Sequence, residues 1–178
     1  MNRIIAGFGA AMLLTATATV PAFAATALAE VHSIDAKGVG KAIGTISFSD
    51  SKEGLIIKPR LAGLPAGPHG FHVHEKGSCA SGDQNGTKVP GLAAGGHFDP
   101  EKSGKHMGPG SHEGHKGDLP TLEVNQAGKA MSPGLAPRLK VADLRGHAII
   151  IHAGADNYAD APAALGGGGA RIACAVVR

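Results

Sequence analysis

Aromatic side chains are scarce in this chain of 178 residues, which has one Tyr, five Phe and no Trp. Proteins that bind single-stranded nucleic acid stack bases on aromatic rings, and nucleic-acid-binding domains usually carry a basic patch. The chain has no dense run of Lys or Arg, and its formal net charge is only +3. We therefore expect no nucleic-acid partner, and a core built from Ile, Val, Leu and Ala.

Long apolar runs are also missing, except at the N-terminus. Residues 4–20 form the apolar stretch IIAGFGAAMLLTATATV, which follows Arg3 and precedes the small-x-small sequence Ala-Phe-Ala. A positive start, an apolar stretch and such a site are typical of a secretory signal peptide. The prediction is a signal peptide over residues 1–24, cleaved after Ala24 or, as a second choice, after Ala29.

A membrane anchor is the alternative interpretation of this stretch. It is interrupted by polar and helix-breaking residues, namely Thr15, Thr17 and Pro21. These leave it short for a helix that spans a bilayer, and no later segment is long and apolar enough. We expect an exported protein without a membrane segment after cleavage, and one domain over residues 25–178.

Cysteine occurs only twice, at Cys79 and Cys174. In the oxidising environment of an exported protein, two cysteines most simply form one disulfide. Closing so long a loop stabilises a fold by about 4–5 kcal/mol in the chain-entropy account. The alternative is two free thiols, which would be available as extra metal ligands.

Glycine and proline are abundant, with 28 and 11 residues, which fits many turns between short strands. Partly alternating, β-branched stretches predict strands at residues 29–35, 41–50, 55–64, 67–75, 146–154 and 171–177, and a strand, turn and strand at residues 120–131. Two irregular segments predict long loops, at residues 76–120 and 154–169. About eight short strands without helical periodicity predict an all-β antiparallel sandwich or barrel.

The loop over residues 76–120 is too long to be ordered without a specific cause. Three of its histidines and one carboxylate can order it by binding a metal ion together: His97, His106, His115 and Asp118. Three imidazoles and one carboxylate form a four-ligand set that suits Zn²⁺. A bound ion would also order a loop that has little apolar content of its own.

His72 and His74 form a second group, on a predicted strand. Successive side chains of a strand point to opposite faces, so these two face the same way while Val73 points into the other layer. His152 ends another predicted strand and completes a three-imidazole site if the two strands are neighbours. Such a nitrogen-rich site suits Cu or Zn. The residues alone leave open whether one or two ions bind.

The order of these motifs resembles that of the copper,zinc superoxide dismutases, and is most similar to their bacterial periplasmic branch. Six stretches between about Glu30 and Arg178 carry the resemblance, in the family's order: GFHVHE, GGHFDP, GKHMGP, GHKGDLP, IIIHAGADNY and GGGGARIACAVV. Each is weak by itself, whereas six in order are specific. The resemblance implies an eight-stranded Greek-key barrel with two long functional loops, located in the periplasm.

The same resemblance assigns metal ligands, with one copper and one zinc per subunit. It implies that copper is bound by His72, His74, His97 and His152. It implies that zinc is bound by His97, His106, His115 and Asp118. His97 then bridges the two ions as an imidazolate. His112 lies inside the same loop and is the alternative zinc ligand in place of His106 or His115.

Further residues take roles by the same resemblance. Asp156 is expected to accept hydrogen bonds from one copper ligand and one zinc ligand, namely His72 and His106, and so to fix their tautomers. Arg171 is expected beside the copper, where a guanidinium suits a small anionic substrate. The two cysteines match the family's disulfide, which joins the long loop to the last strand.

The resulting hypothesis is an enzyme that disproportionates superoxide to O₂ and H₂O₂ as copper alternates between Cu(II) and Cu(I), with Arg171 and His97 as catalytic residues. The alternatives are a periplasmic copper or zinc carrier without turnover, and a sandwich domain that its metals only stabilise. Arg171 favours the enzyme over both alternatives, because neither a carrier nor a structural domain gains anything from binding an anion. The resemblance allows a monomer or a homodimer.

Overall fold

The structure, a computed structural model, describes residues 24–178. The predicted signal peptide lies outside these residues except for Ala24, and its cleavage stays a prediction. Within the described part of the chain, no helix has the length and apolar character needed to cross a membrane.

Short strands dominate the described chain. They are β1 (Thr26–Asp35), β2 (Gly38–Asp50), β3 (Leu55–Ala62), β4 (Gly67–His69), β5 (Phe71–His74), β6 (Gly82–Gln84), β7 (Thr87–Val89), β8 (Leu122–Val124), β9 (Lys129–Ala130), β10 (Gly134–Ala136), β11 (Ala148–His152) and β12 (Arg171–Val176). A single helical turn, α1 (Val141–Leu144), and 3₁₀ turns at Leu92–Ala94 and Ala164–Gly167 complete the elements. The helical turns were not predicted, because elements this short show no periodicity.

The segment predicted to be irregular, residues 76–120, contains a small hairpin made by β6 and β7. Its two-residue turn places Asn85 at φ 54° and Gly86 at φ 78°. Both angles lie in the left-handed region that a two-residue hairpin turn requires, and an Asn-Gly pair is the preferred sequence for it. The prediction of an irregular loop was therefore wrong at this point, where the sequence did carry a hairpin signal.

The strands close into a barrel. The main sheet has the order β10-β3-β2-β1-β12-β11-β5, and β9 also pairs with β3. The edge strand β5 continues through Gly70 into β4, which pairs antiparallel with β8. A turn at Asn125 then leads from β8 into β9 and so back to β3. This closed antiparallel arrangement confirms the predicted all-β fold class.

Alternation along the strands fills the barrel interior. In β3, Leu55, Ile57 and Leu61 are buried, whereas Lys58 and Arg60 point to solvent. Burial of each such aliphatic side chain contributes about 1.5–3 kcal/mol. The core is aliphatic, as the composition predicted, and only two of its buried members are phenylalanines.

Strand β11 is buried on both faces. Ile149 and Ile151 pack in the barrel core, whereas Ile150 packs on the outside in a smaller cluster that includes Cys174. Cys174 forms a disulfide with Cys79. The disulfide confirms the predicted pairing and ties the long loop to β12, so that the loop covers the outer face of the sheet beside β11 and β5.

Candidate metal centre

The outer face of β5 carries the first group of histidines. Val73 is fully buried in the barrel core, so alternation turns His72 and His74 to the opposite face, beneath the loops. β5 pairs with β11, and the backbone N–H of His152 donates to the carbonyl of Gly70 at 2.8 Å. The neighbouring strand thus brings a third imidazole to this face, which is the adjacency that a shared site requires.

The long loop supplies a fourth imidazole. A backbone bridge pairs His74 with His97, so the loop runs along the outside of β5 at this point. Side-chain nitrogens of four buried histidines then lie within 4.8 Å of one another: His72, His74, His97 and His152. These are the four residues expected to bind copper.

A carboxylate oxygen marks the second group. Oδ1 of Asp118 lies 3.1 Å from Nδ1 of His97, 3.0 Å from Nδ1 of His106 and 3.6 Å from Nδ1 of His115. Its other oxygen, Oδ2, accepts hydrogen bonds from the backbone N–H groups of residues 107 and 108, both at 3.2 Å. The four residues expected to bind zinc therefore converge on one point.

His72 is close to both groups, since it also lies within 4.8 Å of His97, His106 and Asp118. Its Nε2 is hydrogen-bonded, which leaves Nδ1 as the one nitrogen that can bind an ion. Without His72 the first group has only three donors, whereas the second keeps four through His115. We therefore place His72 in the first group.

Unpartnered buried nitrogens show that these residues fit metal ions. Six buried side-chain nitrogens in the described chain have no hydrogen-bond partner: His72 Nδ1, His74 Nε2, His97 Nε2, His106 Nδ1, His115 Nδ1 and His152 Nε2. A buried polar atom without a partner is costly and rare in folded proteins. All six belong to the two groups, and a lone pair on each would coordinate a cation.

Hydrogen bonds on the opposite ring nitrogens orient most of these imidazoles. Nδ1 of His74 and Nδ1 of His152 lie 3.0 Å from the carbonyl oxygens of Gly95 and Gly169, to which they donate in the tautomer that leaves Nε2 free. Such outer hydrogen bonds fix the ring and make the free nitrogen a better metal ligand. The arrangement is preorganised for two ions.

Asp156 links the two groups. Its Oδ2 accepts from Nε2 of His72 and its Oδ1 accepts from Nε2 of His106, each at 2.7 Å with side chains that are fully buried. Oδ1 also accepts from the backbone N–H of Tyr158 at 2.8 Å. Burial alone would raise the pKa of the Asp156 carboxyl, but the hydrogen bonds from His106 and His72 hold that pKa well below its usual value. The carboxylate is therefore ionised and bridges one imidazole of each group.

We expect Asp156→Asn to weaken metal binding at both groups by about 10–100-fold, the usual effect of losing an outer hydrogen-bond partner. The two rings face different carboxylate oxygens, and in Asn one of these becomes an NH₂ donor that cannot accept from the ring N–H opposite it. Competition with a chelator for Zn²⁺ and Cu²⁺ measures the effect. Asp83→Asn, in the exposed β6–β7 hairpin, is the matched control, and unchanged affinities in Asp156→Asn would contradict the bridging role.

The pKa values of the histidines differ between the two groups. Burial lowers the pKa of His72 to about 3 and that of His152 to about 4. These rings are neutral near pH 7, as metal ligands must be. For His106, burial also disfavours the charged form, but the carboxylates of Asp118 and Asp156 outweigh it and raise the pKa to about 9. The two carboxylates therefore stabilise a positive charge at the His106 ring. A metal cation bound to that ring would be stabilised in the same way.

Arg171 begins β12 and lies beside the first group. Its Nη1 donates to the carbonyl of Gly91 at 2.5 Å and its Nη2 to the carbonyl of Gly95 at 2.7 Å. The Gly95 carbonyl is the one that also accepts from His74. The positive charge of Arg171 contributes, after burial, to lowering the pKa of both His74 and His152. A fixed cation thus stands next to the proposed copper ligands.

The remaining histidines stay outside both groups. His69 is buried, with its two ring nitrogens 2.7 and 2.9 Å from the carbonyl oxygens of His152 and Pro65, which is a structural role. Nδ1 of His147 lies 3.0 Å from the His74 carbonyl. His112 is exposed and joins neither group.

One contact was not anticipated from the sequence. Asp160 accepts from the backbone N–H of His106 at 2.9 Å and from that of Leu165 at 3.2 Å. It therefore ties the loop over residues 154–169 to the loop that carries the second group. No local pattern around Asp160 indicates this contact, because its partners are distant in sequence or lie in irregular backbone.

The chain matches one protein family along most of its length. The family model described as "Copper/zinc superoxide dismutase (SODC)" matches residues 42–177. A similar curated protein, "Superoxide dismutase [Cu-Zn]" of Photobacterium leiognathi, is 55% identical over 139 residues, which are 78% of this chain and 80% of that protein. The protein of the same name from Escherichia coli K12 is 44% identical over 172 residues, covering 96% of this chain and 98% of the relative.

Solved structures are similar as well. The "Cu/Zn superoxide dismutase from Brucella abortus" superposes with a TM-score of 0.84 at 44% identity, covering 86% of this chain and all of that one (100%). The monomeric copper, zinc superoxide dismutase from Salmonella enterica, solved in solution, gives a TM-score of 0.78 at 46% identity, with coverage of 86% and 100%.

Proposed function

The chain belongs to the copper/zinc superoxide dismutase family, and from this premise we propose that its two histidine groups are the copper and zinc sites of the enzyme. The protein is an oxidoreductase that uses copper and zinc to convert two superoxide anions and two protons into O₂ and H₂O₂. The observation that carries the assignment is the convergence of six unpartnered, buried imidazole nitrogens on two neighbouring points.

Each ion has four proposed ligands, with one copper and one zinc per subunit. Copper would be held by His72, His74, His97 and His152. Zinc would be held by His97, His106, His115 and Asp118. His97 belongs to both sets because its Nδ1 faces Asp118 while its Nε2 is unpartnered. The single ring therefore has one nitrogen for each ion.

The chemistry divides between the metals and the protein. Copper supplies one-electron redox chemistry between Cu(II) and Cu(I), which zinc, with its fixed oxidation state, cannot. Arg171 binds the superoxide anion, because its guanidinium is held rigidly by the Gly91 and Gly95 carbonyls. Nε2 of His97 can hold a proton only while it is not bonded to an ion, and it can then return that proton, which places one of the two required protons at a defined atom.

A carrier without turnover fits the geometry less well. Transfer of a metal favours exposed, exchangeable ligands, whereas every proposed ligand here is buried. The fixed guanidinium of Arg171 also has no use in a carrier. A structural metal site likewise does not explain a cation placed beside the first group.

We also propose that the protein is exported to the periplasm and cleaved after Ala24. Cleavage after Ala29 would remove the first residues of β1, Thr26 to Ala29, which pair with β2. Loss of that pairing favours the earlier position. The mature domain over residues 25–178 is a monomer or a homodimer, and one similar solved structure is described as monomeric.

The function is tested by superoxide consumption of the purified protein before and after removal of copper. We expect the rate to fall to the uncatalysed level when copper is stripped and to recover when copper is restored, because zinc cannot accept an electron. Restoring zinc alone is the control and should give no recovery. A protein that binds both metals tightly but does not consume superoxide would support the carrier instead.

A further inference from the structure

Arg138 is a charged side chain that the assignments above do not use. It lies between β10 and α1, and its side chain is only 5% exposed. One terminal nitrogen, Nη1, donates to the carbonyl oxygens of Ser111, of Gly114 at 2.9 Å and of His115 at 3.2 Å. The other, Nη2, lies 3.5 Å from Oε2 of Glu101. A buried charge is retained only when it is hydrogen-bonded, and here its bonds hold the backbone that carries a proposed zinc ligand.

His115 depends on that backbone more than the other ligands do. Its Nδ1 lies 3.6 Å from Asp118 Oδ1, the longest of the three distances around this oxygen. Its outer nitrogen, Nε2, makes no hydrogen bond to any residue in the range 24–178, whereas the His106 ring is fixed by Asp156. The ring of His115 is therefore positioned by the loop rather than by a partner of its own.

The loop around His115 is tied to the barrel backbone on its C-terminal side, where the Gly117 carbonyl accepts from the Val73 N–H at 2.8 Å, but within the described chain it has no such tie on the side of residues 111–114. No named strand or helix lies between residues 95 and 121. The backbone N–H of His115 donates to the Lys105 carbonyl at 2.8 Å, which is another point on the same loop. Arg138, in contrast, projects from the barrel next to Leu139, which is buried in the core. It connects the irregular loop to the rigid part of the fold.

A second tether lies on the other side of His115. Nζ of Lys116 contacts Oδ1 of Asp143, on α1, at 2.7 Å. Both of these side chains are partly exposed, at 22% and 26%, so solvent weakens the pair. A lysine in place of Arg138 would keep the charge but lose the planar fork that reaches carbonyls on one side and Glu101 on the other. The buried guanidinium is the stronger constraint.

We propose that Arg138 is a positioning residue for zinc, which holds the segment of residues 111–115 so that His115 points at the ion. The inference rests on the proposed assignment of zinc to His97, His106, His115 and Asp118. Zinc binding should depend on Arg138 and copper binding should not, since the tether acts on the zinc side alone. The copper ligands lie on β5, on β11 and at residue 97 of the loop, and none of them contacts Arg138 by hydrogen bond or ion pair in the described structure.

Zinc affinity of Arg138→Gln measures the effect. We expect the dissociation constant for Zn²⁺, from competition with a chromophoric chelator, to rise by about 10–100-fold, while that for Cu²⁺ stays unchanged. Co²⁺ placed in the zinc site should show weaker visible absorption bands, because the four-coordinate geometry is lost. Arg138→Lys should fall between the wild type and Arg138→Gln. Arg145→Gln is the matched control, because Arg145 donates to the Arg178 carbonyl, away from the loop.

The outcomes separate this inference from the proposed function. If the unsubstituted protein binds no zinc or does not consume superoxide, the proposed function fails. If it does both and Arg138→Gln binds zinc as tightly as Arg145→Gln, the positioning role is overturned. Equal losses of zinc and copper would mark a general structural role and would also overturn it. Should far-UV circular dichroism show Arg138→Gln unfolded, Arg138→Lys decides, with weakened zinc binding supporting the proposal and wild-type binding contradicting it.

Discussion

Replacing His152 with alanine is expected to reduce superoxide consumption by at least about 100-fold, more than the 10–100-fold typical of losing an outer hydrogen-bond partner. The change removes one of four imidazoles around the proposed copper position. The backbone of His152 still donates to Gly70, and β11 keeps its pairing with β5 and β12. The fold and the zinc group should therefore persist.

The measurement is the superoxide consumption rate of His152→Ala, together with its copper and zinc content. His112→Ala is the matched control, since this exposed histidine lies in the loop that carries the second group and joins neither group. We expect the control to keep the wild-type rate and both metals. A His152→Ala variant with the wild-type rate would refute the copper assignment. Loss of zinc in His112→Ala would instead support His112 as a zinc ligand.

Removal of the disulfide is expected to produce the largest change in stability. Cys79 and Cys174 are 95 positions apart, and opening a loop of that size lowers the free energy of unfolding by about 4–5 kcal/mol in the chain-entropy account. Typical domains have only about 5–15 kcal/mol in total. The double variant Cys79→Ala/Cys174→Ala should therefore be close to the limit of folding at 37 °C.

Chemical denaturation of the metal-free protein measures this difference, because bound metals would add their own stabilisation. The wild type with its disulfide reduced serves as a control that keeps both sulfur atoms. Agreement between the reduced wild type and the double variant would assign the effect to the cross-link rather than to packing at Cys174, which is fully buried. A loss below about 1 kcal/mol would contradict the chain-entropy account for this loop.

Local sequence patterns were sufficient to predict most of the strands that form the barrel, although the short edge strand β10 was missed. Alternation in β3 and the apolar run in β11 indicated the element type directly, because side-chain direction repeats every two residues in a strand. The spacing of His72 and His74 placed both rings on one face for the same reason. The Asn85-Gly86 turn was equally local, and it was missed because the surrounding loop has so little apolar content.

Contacts between distant parts of the chain could not be obtained in this way. Asp160 and Arg138 each hold a loop by hydrogen bonds to backbone groups. Every residue type has such groups, so the sequence does not show which residues are the partners. His72 lies near both metal groups, and only the count of donors in the folded structure assigns it to the first, which has three without it. The resemblance to a known family named Asp156 and Arg171, whereas composition and periodicity did not.

The pairing of β1 with β12 joins the first and the last strand of the described chain, with His32 opposite Cys174. A nascent chain leaves the ribosome N-terminus first, at roughly 5–20 residues per second. Strand β1 must wait for almost the whole chain before its second neighbour exists, and until then it presents an open edge that invites aggregation. A barrel that cannot close before β12 is available leaves the earlier part of the chain open for longer, and an open chain can be threaded across a membrane.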